Sequence, residues 1–326
     1  MAVPSWTMSL CLRVRERAWH QSIVAAAADL PGLIPVVKGN GYGFDRSTLM
    51  PIAARLSTEI AVGSVYEAAD VPADRTAIVL TPHIRPLPRD LPAHVVLTVG
   101  RLSDVEALHR QGWTGAVSIK LQSSMKRFGA TPTELANLVI ASRAAGLNPT
   151  MYGLHLALAG DQDRRESEVD RWLDVLDEPL PLGISHVDST TYARLRARHP
   201  NRQFRVRVGT ALWHADKSTL RLSADVLDVH PVSVGETVGY RARLVPGAGH
   251  VVVVGAGSAH GVHPLDDGRS PFHFGKCRMQ LIEGPHMHSS LAFVASGDPC
   301  PVVGEQVDVQ RPLIDTAVDE LEWVRD

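Results

Sequence analysis

Short apolar runs recur through the first two-thirds of the chain, with longer polar stretches between most of them. Several of these stretches resemble helices in length and composition, for example residues 46–57, 101–112, 131–146 and 164–178. Eight apolar runs have the length of a buried strand: Leu33–Val37, Ile60–Val65, Ala77–Leu80, Val95–Val99, Val117–Leu121, Met151–Leu154, Leu182–His186 and Phe204–Val208. Strands that alternate with helices indicate parallel pairing, because a parallel connection needs a crossover.

Eight parallel strands are the number that closes a (β/α)8 barrel, which leaves no sheet edge exposed. We therefore predict an α/β fold that begins with such a barrel. An open, doubly wound sheet satisfies the same periodicity and stays an alternative. Within residues 131–146, Thr131 and Glu134 have capping-box spacing, and Gly146 suits the end of the helix.

The pattern changes near residue 217, where helical spacing gives way to strand-like segments separated by Gly and Pro turns. The clearest segments are residues 220–240, 250–257, 291–296 and 305–314. We expect two domains, a barrel over residues 1–216 and a β-rich C-terminal domain over residues 217–326.

Composition and charge narrow the class of protein. The formal net charge of -2 over 326 residues offers no basic field for nucleic acid. No apolar run approaches the roughly 20 residues that span a bilayer, and the N-terminus lacks the pattern of a secretory signal. The three cysteines, Cys11, Cys277 and Cys300, form no CxxC pair. We expect a cytoplasmic protein without a membrane or nucleic-acid partner.

The first candidate for chemistry is the stretch LIPVVKGNGYGFD, residues 33–45, in which an apolar strand runs directly into Lys38. Functional groups of parallel barrels lie at the carboxyl ends of the strands. A partly buried lysine there can lose its proton and act as a Schiff-base nucleophile. Gly39, Gly41 and Gly43 would let the backbone approach a ligand closely.

The segment VVKGNGYGFD resembles the signature of the alanine racemase family, V-V-K-A-N-A-Y-G-H. The resemblance implies a fold type III enzyme, with a pyridoxal phosphate (PLP) barrel followed by a β-domain. It further implies that Lys38 carries PLP covalently and that Tyr42 helps to hold the phosphate.

Further motifs follow in the order of the family. SIKLQSSMKRFG resembles K-V-D-T-G-M-x-R-x-G. Arg127 then matches the arginine that binds the substrate carboxylate, and Lys120 matches a lysine that is often carbamylated. GLHLA places His155 on the family's histidine after the sixth strand.

The later motifs concern the phosphate and the second base. SHVDSTTY resembles H-x-x-N-S, and RVRVGTALW resembles R-P-G-I-x-x-Y. The matched positions are His186, Ser189 and Thr190 at the first motif, and Arg207, Gly209 and Thr210 at the second. Arg207 would face the pyridine nitrogen, and Ser189, Thr190, Gly209 and Thr210 the cofactor. VGETVGYRA resembles G-x-x-V-S-Y-G, so Tyr240 matches the catalytic tyrosine, which the neighbouring subunit of a dimer supplies.

The family chemistry explains why these groups are needed. Inversion at Cα needs two bases on opposite faces, which would be Lys38 and Tyr240 of the partner subunit. Both titrate ordinarily near pH ~10, so positive charge must shift them, and Arg207 would supply it. The resemblance thus implies a homodimer with shared active sites, acting on a small amino acid, with alanine as the first expectation.

Several family positions are changed on the substrate side. Ser258 stands where the family has a tyrosine near the substrate channel, and His288 replaces an aspartate beside a retained Met287. Gln122 replaces another aspartate, and Phe44 replaces the histidine that follows the lysine motif. The motifs therefore define the cofactor better than the substrate.

Two alternatives stay open. The second domain contains several potential metal ligands, His260, His263, His273, His286, His288 and Cys277. They would suit a PLP- and metal-dependent lyase that acts on a D-amino acid, of the D-threonine aldolase or D-serine dehydratase type. The main prediction assigns no metal site. The other alternative is a non-catalytic PLP carrier, which would have no use for a second domain with Tyr240.

Overall fold

The computed structural model describes residues 9–325 of the chain. It divides into two compact units, which are taken in turn. The first consists of Ile23–Gly41 and Arg46–Trp213, and the second of Tyr42–Asp45 together with residues 9–22 and 214–325. In residues 9–325 no helix has the length and apolar character that crossing a bilayer requires.

The first unit is built on eight parallel strands. Among the described residues, β1 (Leu10–Arg15) comes first and belongs to the second unit, and helix α1 (Glu16–Ala28) follows it. The parallel strands follow as β2 (Leu33–Pro35), β3 (Glu59–Val62), β4 (Thr76–Val79), β5 (Val95–Val99), β6 (Ala116–Leu121), β7 (Asn148–Leu154), β8 (Leu182–Ser185) and β9 (Phe204–Val208). Their order in the sheet is β2-β9-β8-β7-β6-β5-β4-β3.

The two ends of this sheet meet. Val36 forms a parallel bridge to Ala61, and the N–H of Val37 donates to the carbonyl of Ala61 at 2.8 Å. The sheet is thereby a nearly closed barrel, so the predicted barrel is confirmed and the open sheet is wrong. The strands bury almost every residue, as β5 shows along its whole length, because parallel sheets are covered on both faces.

Six further helices follow the strands of the barrel unit: α2 (Arg46–Leu56), α3 (Leu102–Arg110), α4 (Pro132–Ala144), α5 (Gln162–Leu173), α6 (Ser189–Arg198) and α7 (Thr210–Trp213). The predicted capping box of α4 is confirmed, since the carboxylate of Glu134 accepts the N–H of Thr131 at 2.9 Å. The strand predicted over Ile60–Val65 ends earlier, at Val62, because Gly63 and Ser64 turn the chain into a 3-10 helix.

The second unit is rich in strands, as expected for residues beyond 217. The strands are β10 (Leu220–Val232), β11 (Thr237–Val238), β12 (Arg243–Leu244), β13 (Gly249–Val254), β14 (Phe272–Phe274), β15 (Cys277–Arg278), β16 (Gln280–Leu281), β17 (Ser290–Ala295), β18 (Gln306–Val309) and β19 (Glu320–Val324). The main sheet has the order β15-β14-β18-β10-β13-β17-β16, and β11 and β12 form a separate hairpin.

The N-terminal strand β1 joins this sheet. It pairs antiparallel with β10 through Leu10 and Ala224, and parallel with β19 through Cys11 and Glu320. The local sequence pattern of β1 does not predict its pairing with strands so distant in the chain. The domain boundary between residues 216 and 217 stays a prediction, while β1 shows that the sheet also uses the start of the chain.

Candidate active site

Lys38 lies just beyond β2, at the carboxyl end of the barrel strands. Its side chain is exposed at this end, yet the surrounding atoms lower the pKa of the amine below its ordinary value. Desolvation is the main cause, followed by the charge of Arg127 and, with less weight, that of Arg207; Glu67 acts in the opposite direction. From the sequence we expect Arg207 to lower the pKa of this lysine. In the structure the charge of Arg127 contributes more to that lowering than the charge of Arg207.

The glycines after Lys38 allow backbone angles that other residues rarely adopt. Gly39, Gly41 and Gly43 have φ angles of 60°, 62° and 93°, in the left-handed region that glycine adopts without strain. A Cβ on Gly41 would lie 2.5 Å from the backbone nitrogen of Arg46, whereas one on Gly39 would meet no atom within 4 Å. The fold itself therefore requires glycine at position 41, and open space exists at Gly39. That these glycines make room for a ligand stays a prediction.

Glu67 ties the loop of Lys38 to the next strand, and sequence reasoning missed it. Its carboxylate accepts the N–H of Gly39 at 2.9 Å and the N–H of Gly63 at 2.6 Å. The spacing of Ser64 and Glu67, a capping box, was the available signal. The carboxylate therefore bridges the loops after β2 and β3 beside the candidate lysine.

Two buried basic side chains, Arg207 and Lys120, lie deeper in the barrel. Arg207 on β9 is buried and donates from a terminal nitrogen to the carbonyl of Leu154 at 2.7 Å. Burial, with the charge of Arg127, lowers the pKa of Arg207 to about 10, so it stays charged at neutral pH. Burial, reinforced by both arginines, holds the pKa of Lys120 well below its ordinary value. Within residues 9–325, no carboxylate forms an ion pair with Lys120, Arg127 or Arg207.

Arg127 lies in the loop after β6 and is exposed. Its guanidinium carbon is 4.5 Å from the centre of the Phe128 ring, and the Lys120 amine is 5.9 Å from the same ring. An aromatic face favours a positive charge above it, and it is the guanidinium of Arg127 that lies closest. The charges of Arg127 and Arg207 make this end of the barrel basic.

Two histidines follow β7 and β8. The ring centres of His155 and His186 are 4.7 Å apart. Nδ1 of His155 is 2.8 Å from the hydroxyl of Ser185, and Nδ1 of His186 donates to the carbonyl of Leu156 at 2.8 Å. Desolvation, with Arg207 and Lys120, lowers the pKa of His155 to about 2. The pKa of His186 is also lowered, mainly by desolvation. Both rings are neutral at physiological pH.

The positions expected to contact phosphate lie where two helices begin. Ser189 and Thr190 are exposed in the first turn of α6. Asp188 caps that helix, since its carboxylate accepts the N–H of Thr191 at 2.7 Å. An acid therefore already occupies part of the helix terminus that the resemblance assigns to phosphate. Gly209 and Thr210 follow β9 directly and start α7.

The remaining predicted residues belong to the second unit. Tyr42 is buried at a φ of 58°, and its carbonyl accepts a hydrogen bond from Nε2 of His214 at 2.8 Å. Tyr240 and Met287 are exposed. The backbone N–H of Ser258 donates to the carbonyl of His286 at 2.7 Å, so two segments that depart from the family motifs are neighbours.

The histidines of the second unit do not converge. In residues 9–325 the structure contains no group of three or more His, Cys, Asp or Glu residues that could hold a metal ion. His260 lies near His288, with ring centres 5.8 Å apart, and its Nε2 is 3.1 Å from a carboxylate oxygen of Asp319.

The chain combines a barrel with a β-rich second unit, and the barrel has a lysine, two arginines and two histidines at the carboxyl ends of its strands. This combination defines the class as two-unit barrel proteins with a basic site at the strand ends. Residues 18–217 match the family model of the alanine racemase N-terminal domain. The chain therefore belongs to the alanine racemase family. No curated protein matches the chain in sequence.

Solved structures of alanine racemases share the fold over almost the whole chain. The enzyme from Bartonella henselae, which has covalently bound pyridoxal phosphate, superposes with a TM-score of 0.74 at 16% identity, covering 98% of this chain and 100% of that one. The biosynthetic enzyme from Pseudomonas aeruginosa gives 0.74 at 18%, with coverages of 98% and 100%. The enzyme from Bacillus anthracis with bound L-Ala-P gives 0.71 at 20%, with coverages of 93% and 86%.

Proposed function

We propose that the chain is a PLP-dependent amino-acid racemase that interconverts L- and D-amino acids, with alanine as the first substrate to test. The observation that carries the proposal is Lys38 at the mouth of the barrel, with its pKa lowered by desolvation and by Arg127. A lysine amine that is more often neutral is a better nucleophile toward an aldehyde.

The residues present fit PLP. Cationic side chains at one end of the barrel suit an anionic cofactor, and the open space at Gly39 leaves room beside Lys38. Lys38 would hold PLP covalently, and Arg207 would face the pyridine nitrogen next to His155. The phosphate would contact Tyr42 and residues that follow β8 and β9, namely Ser189, Thr190, Gly209 and Thr210.

The chain's own groups would then do the rest of the work. Bound PLP delocalises negative charge from Cα and so makes the α-proton removable. Lys38 would move this proton on one face, and Tyr240 of the partner subunit on the other. Arg127 would bind the substrate carboxylate through its planar guanidinium, and Met287 would line the side-chain space. Because Arg207 stays charged, it would leave the pyridine nitrogen unprotonated, which disfavours side reactions.

Absorbance and isotope exchange test the proposal together. The purified protein should show the near-visible band of lysine-bound PLP, and Lys38→Ala should lose it. In deuterated water, L-alanine or another small amino acid should exchange its α-hydrogen and racemise. A protein that takes up no PLP would contradict the cofactor, and PLP binding without Cα exchange would favour the carrier.

Metal analysis separates the racemase from the lyase. Stoichiometric zinc or manganese in the purified protein, with cleavage of a D-amino acid, would favour the lyase. The homodimer and the cytoplasmic location stay predictions that rest on the resemblance and on the sequence.

A further inference from the structure

The turn that carries Tyr240 is held by two side chains that the proposed reaction does not use. Tyr240 lies between β11 and β12, strands of two residues each. Gly239 opens the turn at a φ of 79°, and its carbonyl accepts the N–H of Ala242 at 3.2 Å. The side chain of Tyr240 is 87% exposed. So short a hairpin does not by itself direct an exposed ring.

Glu283 constrains the backbone of this turn. One carboxylate oxygen accepts the N–H of Tyr240 at 2.9 Å, and the other accepts the N–H of Arg241 at 3.2 Å. The Glu283 side chain is only 4% exposed. A Cβ on Gly239 would lie 2.3 Å from the first oxygen, so glycine permits this close approach. Hydrogen bonds to a shielded carboxylate are stronger than neutral ones.

His286 extends the constraint to the aromatic ring. Its Nε2 is 2.7 Å from the carboxylate of Glu283, and this nitrogen donates because a carboxylate only accepts. The centre of its ring lies 4.3 Å from that of Tyr240, with 40° between the planes. The phenol therefore rests on an imidazole whose orientation the carboxylate sets.

Both residues are anchored to the second unit. Ile282, next to Glu283, packs against the apolar cluster of Val232, Val245, Val251 and Phe293. The N–H of His286 donates to the carbonyl of Ser289 at 2.8 Å, and its carbonyl accepts the N–H of Ser258 at 2.7 Å. The segment from Glu283 to His286 is thus a fixed support rather than a free loop.

We propose that Glu283 and His286 are positioning residues that direct the phenol of Tyr240 for proton transfer. This inference rests on the proposed racemase function. Glu283 fixes the backbone of the turn, and His286 limits the rotation of the ring. The pair gives His286 a purpose within the histidine-rich domain that needs no metal.

The variants are Glu283→Ala, Glu283→Gln, His286→Ala and His286→Phe. The last keeps a flat ring but loses the N–H, so it separates contact from hydrogen bonding. Two matched controls lie in the same unit. Glu305 also accepts a backbone N–H in a turn, from Val302 at 2.8 Å. His230 also pairs with a carboxylate, that of Asp228, at 3.3 Å. Glu305→Gln and His230→Ala should leave Tyr240 unaffected.

Hydrogen exchange reads the constraint directly, without depending on turnover. In the holoenzyme, Glu283→Ala should expose the amides of Tyr240 and Arg241 to exchange roughly 10- to 100-fold faster. His286→Phe should leave those amides protected, since Glu283 remains. Unchanged exchange in Glu283→Ala would overturn the backbone part of the proposal.

Isotope effects show whether Tyr240 is the group affected. Rates alone cannot show this, because the equilibrium constant fixes the ratio of the kcat/KM values for the two directions of racemisation. All four variants should lower kcat by roughly tenfold or more, with smaller changes in KM. The primary Cα-deuterium effect should rise in the direction in which Tyr240 removes the proton, and not in the other. Isotope effects that stay at the wild-type values in both directions, as we expect for the controls, would overturn the proposal.

The two hypotheses fail in different ways. If the wild-type protein exchanges no α-hydrogen, the racemase function fails, and with it the catalytic purpose of the pair, although amide exchange still measures the tether. If the wild type racemises and the variants keep its isotope effects, only the positioning role fails. If Glu283→Ala does not fold, the same isotope measurements on Glu283→Gln and His286→Phe test the positioning role.

Discussion

At the scale of single residues, the lowered pKa of Lys38 comes from its neighbours. Desolvation and two arginines lower the pKa of the amine, and Glu67 raises it. These groups come from the ends of different strands, so the pKa of Lys38 depends on how several strands and loops come together at the barrel mouth. Two substitutions that should shift this pKa in opposite directions test the dependence.

Arg127→Gln should raise the pKa of Lys38 toward the ordinary lysine value, since it removes a positive neighbour. The neutral amine would then appear only at higher pH. Cofactor-free protein incubated with PLP and reduced with borohydride should therefore label Lys38 with a pH midpoint above that of the wild type, as peptide mapping can measure. Arg85, which is exposed in a loop, provides the control. A midpoint that stays the same in Arg127→Gln would contradict the charge argument.

Glu67→Ala should act in the opposite direction on the amine and also loosen its loop. The pKa of Lys38 should fall further, so labelling should begin at lower pH. Loss of a carboxylate that accepts several backbone N–H groups should lower the free energy of unfolding by about 2 kcal/mol. Glu106→Ala, at an exposed pair 3.9 Å from Arg110, should change it by less than ~0.5 kcal/mol. Denaturant unfolding measures the free energy of unfolding of both variants. Equal losses in Glu67→Ala and Glu106→Ala would contradict the bridging role of Glu67.

At the scale of elements, the loop after β6 carries Arg127 and returns to its own strand through a parallel bridge between Leu121 and Ala130. The N–H of Ala130 donates to the carbonyl of Lys120 at 2.8 Å, and the N–H of Gln122 donates to the carbonyl of Ala130 at 2.9 Å. The loop returns against its own strand, so the position of Arg127 depends on how closely the two backbones approach.

Gly129→Ala tests that approach. Gly129 has a φ of 127°, and a Cβ there would lie 2.5 Å from the backbone carbon of Leu121. The loop must move, so we expect a loss of roughly 3 kcal/mol or more in unfolding free energy and a raised KM for the amino acid. Gly112→Ala is the matched control, since its φ is 72° but nothing lies within 4 Å. It should cost only about 1 kcal/mol. Similar costs at the two glycines would refute the steric argument.

At the scale of the whole molecule, the two proposed bases belong to different compact units of one chain. Lys38 is in the barrel unit, and Tyr240 is on an exposed hairpin of the second unit. The family resemblance implies that a partner subunit supplies Tyr240. Mixed dimers can test this without any knowledge of the interface.

Lys38→Ala and Tyr240→Phe should each inactivate the homodimer, and a mixed dimer of the two should regain activity. If Tyr240 acts in trans, one of the two sites in the mixed dimer combines an intact Lys38 with an intact Tyr240. Differently tagged subunits, purified through both tags and assayed for racemisation, give the answer. A mixed dimer as inactive as its parents would indicate that both bases of a site come from the same chain.

Much of the fold and of the site can be predicted from the sequence, though for different reasons. The strands and helices follow from periodicity, which local backbone geometry imposes. Lys38 stands out because a lysine ends a buried strand, and Arg127 and Arg207 stand out because their motifs resemble those of the family. Glu67 and Glu283 are missed because an acid that accepts backbone N–H groups looks the same in a sequence as a solvated one. Strand ends are also displaced, as at Val62, where the turn depends on the neighbouring loop.

The sequence by itself determined the alternation of elements and the family, and it predicted Lys38 as the reactive lysine. Each depends on residues that are close together in the chain. The tertiary structure alone decided the closure of the barrel between Val36 and Ala61, the pairing of β1 with β10, and the support of Tyr240 by Glu283 and His286. It also decided the order of causes that lower the pKa of Lys38. These features depend on groups from distant parts of the chain, and only long-range packing sets the distances between them.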